Sequence, residues 1–158
     1  AGAEKIVLNT AAVENPQLIA EAAGCFGSQS VVVAIDVKRG WTGKRRVHTC
    51  SGTIRTDRDP VAWAVEAARL GAGEILLTSI DAEGSMFGYD LDLIRAVAKE
   101  VAIPVIAAGG AGSVADFRLA RDAGASAMAA GSMFVFTGKL RGILISYPTR
   151  DELHEAFR

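Results

Sequence analysis

Two cysteines in 158 residues, Cys25 and Cys50, are too few and too isolated for a disulfide framework or a metal quartet, and they fit a reducing, cytoplasmic setting. Two histidines, His48 and His154, also stand alone. Neither has a partner at ligand spacing, so no metal site is expected, and no Ser-His-Asp or Cys-His arrangement can be assembled. His48 reads as surface of a loop arm and His154 as part of a terminal helix. Charge of one sign is missing too: 17 basic against 18 acidic residues leave a net charge of −1. That balance gives no electrostatic reason to expect nucleic acid or an acidic membrane as partner. No apolar run reaches membrane-spanning length, and nothing before Lys5 has signal-peptide form. No Gly-x-Gly-x-x-Gly follows a strand with an acidic residue at the right distance, so no dinucleotide or other cofactor is expected. The chain opens on Ala1 without Met and reads as part of something longer, or as a processed chain.

What is present is repetition. Half of the residues are hydrophobic, enough for one domain across residues 1–158. Strand-like runs recur at Lys5–Asn9, Val31–Asp36, Glu74–Ile80, Pro104–Ala107 and Ala127–Ala130. Helical periods lie between them with legible starts: Asn15-Pro16, Asp59-Pro60, Asp90, Ser113, and Thr149 with Glu152 as a capping box. Gly2-Ala3, Gly71-Ala72 and Gly124-Ala125 each lead into a strand, and the strands at Val31 and Pro104 lack this lead-in. The repeating unit is thus two strands and two helices. Repeated βα units of this kind favour a barrel-type parallel sheet over a dinucleotide-binding sheet, although five strands cannot close a barrel of eight. One unit departs from the pattern. Gly40 and Gly43 bracket a turn, and the alternation Arg46-Val47-His48-Thr49 predicts a returning β-arm above the carboxyl end of a strand.

Two strands end in carboxylates, Asp36 and Asp81, which on a parallel barrel should open onto one shared cavity. Each is a candidate general acid or base, or simply the cap of a βα loop. Glu83 adds an acidic group beside the flexible Gly84-Ser85. The run Ile103–Ala108, closed by Gly109-Gly110, reads as a buried strand followed by an anion cradle, with the helix after Ser113 adding free N–H groups. A strained turn explains a glycine pair equally well. Gly131-Ser132 follows the last strand, the usual phosphate position in such barrels, and Asn9-Thr10 after the first strand could hold a second anion.

The segments Asn9–Pro16, Phe26–Gln29, Val31–Arg39, Gly71–Asp81 and Ala107–Gly112 together resemble the cyclase subunit of imidazole glycerol phosphate synthase, from Gly2 to about Val135. The resemblance implies an α/β fold, a partial (βα)8 TIM-type barrel of about strands four to eight: a single C-terminal half-barrel. It implies an ammonia-dependent cyclase/lyase of histidine biosynthesis that acts on a bisphosphorylated aminoimidazole-carboxamide nucleotide and is supplied by a glutamine amidotransferase. Asp36 would match one of the family's two acid/base aspartates, the other lying on a strand outside this sequence. Asn9 and Thr10 would match one phosphate site. Gly84, Gly110, Gly131 and Ser132 would match the other. Lys5 and Glu74 would match charged residues at the ammonia gate. Glu83 and Ser85 stand where the family usually has Asp and Thr, and Ala108 where it often has Ser. The ending Phe134–Lys139 and Leu144–Pro148 is more similar to a paralogous branch that works beside an amidotransferase in acetamidino-sugar synthesis. A non-catalytic binding or assembly module is the reading of a different class. Five strands alone would leave Lys5–Asn9 and Ala127–Ala130 as apolar edges, so a homodimer is expected unless Leu140–Tyr147 folds back as an extra edge strand.

Overall fold

The computed structural model describes residues 2–138 and 140–157. Strand β1 (Ile6–Leu8) leads into helices α1 (Thr10–Glu14) and α2 (Gln17–Phe26). A long strand β2 (Val31–Arg39) turns back through β3 (Arg45–Thr49) and β4 (Ile54–Arg55). Helix α3 (Pro60–Arg69), β5 (Glu74–Ser79), α4 (Leu91–Glu100), β6 (Val105–Ala108), α5 (Val114–Asp122) and β7 (Ala127–Met128) then alternate. The chain ends in α6 (Ser132–Val135), a hairpin of β8 (Phe136–Thr137) and β9 (Gly142–Ile143), and α7 (Arg150–Ala156).

The result is a mixed α/β fold on a parallel sheet. Strands β1, β2, β5, β6 and β7 lie side by side in chain order, each parallel to the next. The side chains alternate between two very different faces. Val31, Val33, Ile35, Ile75, Leu77, Val105 and Ala107 point to the helices and are at most 1% exposed. They pack with Ile19, Trp63, Ala64, Leu93, Val97 and Phe117 as one core. On the opposite face Val32 and Ala34 are buried at the centre, Leu76, Thr78, Ile106 and Ala108 are half-buried, and Val7 is 58% exposed. Parallel sheets are ordinarily covered on both faces, so this open face is unusual.

The repeated Gly-Ala lead-ins have one physical cause. After α3, Gly71 adopts φ +106°, and Ala72 N–H reaches back to the Ala67 carbonyl at 3.0 Å. After α5, Gly124 adopts φ +104°, and Ala125 N–H reaches the Ala120 carbonyl at 3.0 Å. Both are left-handed helix ends, a geometry that favours glycine and aims the chain back at the sheet.

Several sequence expectations need correction here. Asn15 does not cap α2; it terminates the unforeseen short helix α1, and Pro16 stands at the start of α2 with no side-chain cap. Strand β7 stops at Met128 rather than Ala130. Leu140–Tyr147 adds no edge strand to the main sheet, because Gly142–Ile143 pairs only with Phe136–Thr137 in a separate hairpin. By contrast Asp59 caps α3 through Val61 and Ala62 N–H, and Asp90 caps α4 through Leu93 N–H, as their sequence positions predict.

Candidate functional site

Asp36 sits near the carboxyl end of β2, paired in register with Thr78 on β5 and His48 on β3. Asn9 holds it in place, donating from Nδ2 to the Ala34 carbonyl at 3.0 Å and to Asp36 Oδ2 at 3.2 Å. Thr10 Oγ1 donates to Asn9 Oδ1 at 3.2 Å and accepts the Cys50 N–H at 2.9 Å. The side-chain donors of Asn9 and Thr10 are therefore engaged in ordering Asp36 and the arm. A carboxylate fixed this way on a half-buried strand end is arranged for proton transfer, provided a substrate reaches it.

Asp81 is placed elsewhere. Its Oδ2 accepts the Arg39 N–H at 2.7 Å, and it lines a cleft with Arg39, Ser79, Phe87 and Asp90. Asp36 is not among the residues that line this cleft. Beyond the strand's last residue, Ser79, the chain turns, so Asp81 meets the base of the arm.

The second cluster is a cavity of about 140 Å³ walled by Glu83, Gly84, Ala108, Gly109, Gly110, Ala129, Gly131 and Ser132. It unites the segments after β5, β6 and β7. The glycines in it are not equivalent. A Cβ on Gly110, which has φ +106°, would lie 2.1 Å from the Gly88 carbonyl oxygen, and one on Gly109 would lie 2.5 Å from that of Ser79. Packing alone demands glycine at both, so the strained-turn explanation covers the pair. A Cβ on Gly131 would meet nothing within 4 Å, yet the residue lines the cavity. The helix after Ser113 contributes less than its position suggests, because Asp116 Oδ2 already accepts the N–H groups of Gly112 and Ser113 at 2.9 and 2.8 Å.

Electrostatics around this cavity are mixed. Glu83 brings a carboxylate to its wall. Arg141, on the terminal hairpin, donates from Nη2 to the Gly84 carbonyl and rests over the Phe136 ring. Burial, and then the carboxylates of Asp116 and Glu83, push the Tyr89 hydroxyl well above its ordinary value of 10.0. It stays protonated and donates to the Ala129 carbonyl at 2.9 Å, tying the segment after β5 to the one that follows β7. At the other end of the sheet Lys5 Nζ pairs with Glu74. Among the described residues no group of three or more His, Cys, Asp or Glu could hold a metal ion, and no helix is long and apolar enough to cross a membrane.

Sequence reasoning missed three contributors. Tyr89 and Arg141 gave no motif. His48, which the sequence reads as arm surface, is only 8% exposed. The alternation in Arg46–Thr49 was the available signal, since it set the face on which His48 would lie.

Residues 1–141 match the family described as "Histidine biosynthesis protein". The chain is 57% identical over 137 residues to the imidazole glycerol phosphate synthase subunit HisF of Pyrobaculum aerophilum, covering 86% of this chain and 53% of that protein. It is 49% identical over 154 residues to the HisF subunit of Streptomyces griseus, covering 98% and 61%. Against that of Streptomyces coelicolor it is 52% identical over 141 residues, covering 89% and 56%. The chain thus spans a little over half the length of these relatives.

Proposed function

The chain belongs to the histidine biosynthesis protein family, as a HisF-type cyclase subunit, and on that premise we propose that it forms the C-terminal wall of a (βα)8-barrel cyclase and binds a phosphorylated, sugar-derived ligand. The supporting observation is Gly131: no packing constraint asks for glycine there, and a side chain would intrude on a cavity that also holds Ser132. The phosphate of the ligand lies in that cavity and its reacting end extends toward Asp36, which exchanges protons with it. Lys5 and Glu74, at the opposite strand ends, face the side from which an amidotransferase partner delivers ammonia. Asn9 and Thr10 serve the reacting end by ordering Asp36, and a second phosphate there would rely on backbone N–H groups. Asp81 anchors the arm.

The second aspartate implied by the family resemblance is not in this sequence. Loss of one partner of an acid/base pair commonly lowers turnover by about 10²–10⁴-fold, so ammonia-dependent turnover by this chain alone is expected to be residual.

Titration calorimetry with imidazole glycerol phosphate tests the proposal. Wild type is expected to bind, and Gly131→Ala, which has room to fold, to bind about tenfold more weakly, because the added methyl group pushes the phosphate out of reach of one charge-assisted hydrogen bond. No binding by wild type, or equal binding by both, would remove the phosphate assignment.

A further inference from the structure

The terminal hairpin brings a cation to the wall of the cavity that holds Ser132. The hairpin itself is well anchored. Ser146 N–H bonds the Phe134 carbonyl at 2.9 Å, and Tyr147 packs on Phe134 with ring centroids 5.0 Å apart. Its turn carries two residues in the left-handed region, Gly138 at φ +72° and Arg141 at φ +51°. A non-glycine residue is uncommon there and persists where its surroundings hold it.

Arg141 is held through its guanidinium. Nη2 donates to the Gly84 carbonyl and, at 3.4 Å, to that of Ser85, while Cζ lies 5.6 Å from the centre of the Phe136 ring. Nε and Nη1 have no hydrogen-bond partner among the described residues. No ion pair among the described residues includes Arg141 either. The side chain is thus fixed by neutral groups, with its charge unanswered and two donor nitrogens unused.

Gly84 joins this arginine to the phosphate cavity. A Cβ on Gly84 would lie 3.8 Å from Ser132 Oγ, and its carbonyl accepts from Arg141, so the hydroxyl and the guanidinium flank one residue. Glu83 and Gly84 also belong to a neighbouring hollow of about 590 Å³, walled further by Ser85, Phe87, Gly138 and Arg141. Among the described residues, the walls of the two hollows hold one carboxylate, Glu83, and one cation, Arg141. A phosphate monoester beside Ser132 carries up to two negative charges and is repelled by Glu83. Backbone N–H groups and a hydroxyl oppose that only with partial charges. Arg141 supplies a full one.

We propose that Arg141 is a ligand-binding residue of this site: Nη2 braces Gly84, and Nε or Nη1 donates to the phosphate of a phosphomonoester. The proposal rests on the phosphate assignment made above. Arginine suits both tasks because its planar fork offers five N–H donors, whereas lysine concentrates three on one nitrogen. The charge makes the site select a phosphorylated ligand over its neutral counterpart, in spite of Glu83.

Calorimetry with imidazole glycerol phosphate, at low and at raised salt, tests this on wild type, Arg141→Gln and Arg141→Lys. The position is exposed, so both variants are expected to fold. Glutamine keeps an N–H donor and loses the charge; lysine keeps the charge and loses the fork. Arg141→Gln is expected to bind about 10- to 100-fold more weakly than wild type. Its affinity is expected to depend less on salt, because the attraction that salt screens is gone. Arg141→Lys is expected to fall between the two. Wild-type affinity and salt dependence in Arg141→Gln overturn the proposal and leave the phosphate assignment standing. Equal weakening in both variants, with the salt dependence of wild type, does the same, since Arg141 then only braces the loop. Absence of binding by wild type removes both.

Discussion

At the scale of single residues, Tyr89 shows how a group with no sequence motif joins two parts of the site. Its hydroxyl donates to Ala129, and its ring is 8% exposed. Folding raises its proton affinity, first through burial and then through Asp116 and Glu83. The unfolded chain loses the phenolic proton near the ordinary value of 10.0, while the folded chain keeps it. Above that pH the folded state binds more protons than the unfolded one, so stability must fall as pH rises. Below it the contribution is fully present. The slope from this one residue approaches about 1.4 kcal/mol per pH unit. Denaturant melts between pH 8 and pH 11 should show a decline that Tyr89→Phe reduces. At neutral pH the same variant should be about 1 kcal/mol less stable, because the Ala129 carbonyl loses its donor. An identical pH dependence in both proteins would contradict the assignment.

At the scale of elements, Asp90 couples the arm to helix α4. One oxygen accepts the Leu93 N–H at 3.0 Å, and the carboxylate takes both Arg45 Nη2, at 2.7 and 2.9 Å, and Arg39 Nη2 at 3.4 Å. Its side chain is 18% exposed and that of Arg45 24%, so this pair is less screened than an open surface pair. Asp90→Ala loses a helix cap, worth about 1 kcal/mol, and leaves Arg45 unpaired, adding about another 1 kcal/mol. A fall in Tm of about 4–8 °C is expected for a chain of this size. Asp90→Asn keeps the cap and should recover about half; if it loses as much as alanine, the charge and not the cap dominates.

Asp90 was legible because a short acidic side chain before an apolar helical period has few other uses. The same held for Asp59, and short hydroxyl side chains with an acidic residue three positions on marked Ser113 and Thr149. Asn15 misled because its residue type ends helices as readily as it starts them, and the five residues of α1 are too few to show a period. Asp36 was legible as the residue that closes a continuous apolar run, although β2 itself continues to Arg39. Its relation to His48 was not, since that depends on the register set by the Gly40–Lys44 turn, where Gly40 N–H meets the Lys44 carbonyl at 2.9 Å. Asp81 read like Asp36 only because sequence does not show where β5 stops.

At the scale of the whole molecule, the two faces of the sheet set the problem. The helix side is closed by α2, α3, α4 and α5, and the other side is partly open, with Val7 exposed and Leu76, Ile106 and Ala108 half-buried around the buried Val32 and Ala34 as an apolar floor. The outer edges of β1 and β7 have no strand partner among the described residues. The one segment that could have covered an edge from within is committed elsewhere. Leu144 N–H bonds the Val135 carbonyl and Ser146 N–H the Phe134 carbonyl, so this stretch folds back on α6. It adds apolar surface of its own, with Ile143, Leu144 and Ile145 between 63% and 79% exposed. In a complete barrel the other strands would cover floor and edges together. For this chain alone the same geometry favours a second copy, because a two-fold pair sets floor against floor and β1 of one protomer near β7 of its partner. An obligate interface of that kind is largely apolar and exceeds about 1,500 Å² in total. Light scattering at micromolar concentration should therefore give twice 16.5 kDa, and Val7→Lys, which sets a charge on the open floor, should shift the protein toward monomer. A clean 16.5 kDa species for the wild type, stable and without exposed-surface dye binding, would mean that the open face is tolerated in water and that self-association has no part in completing the fold.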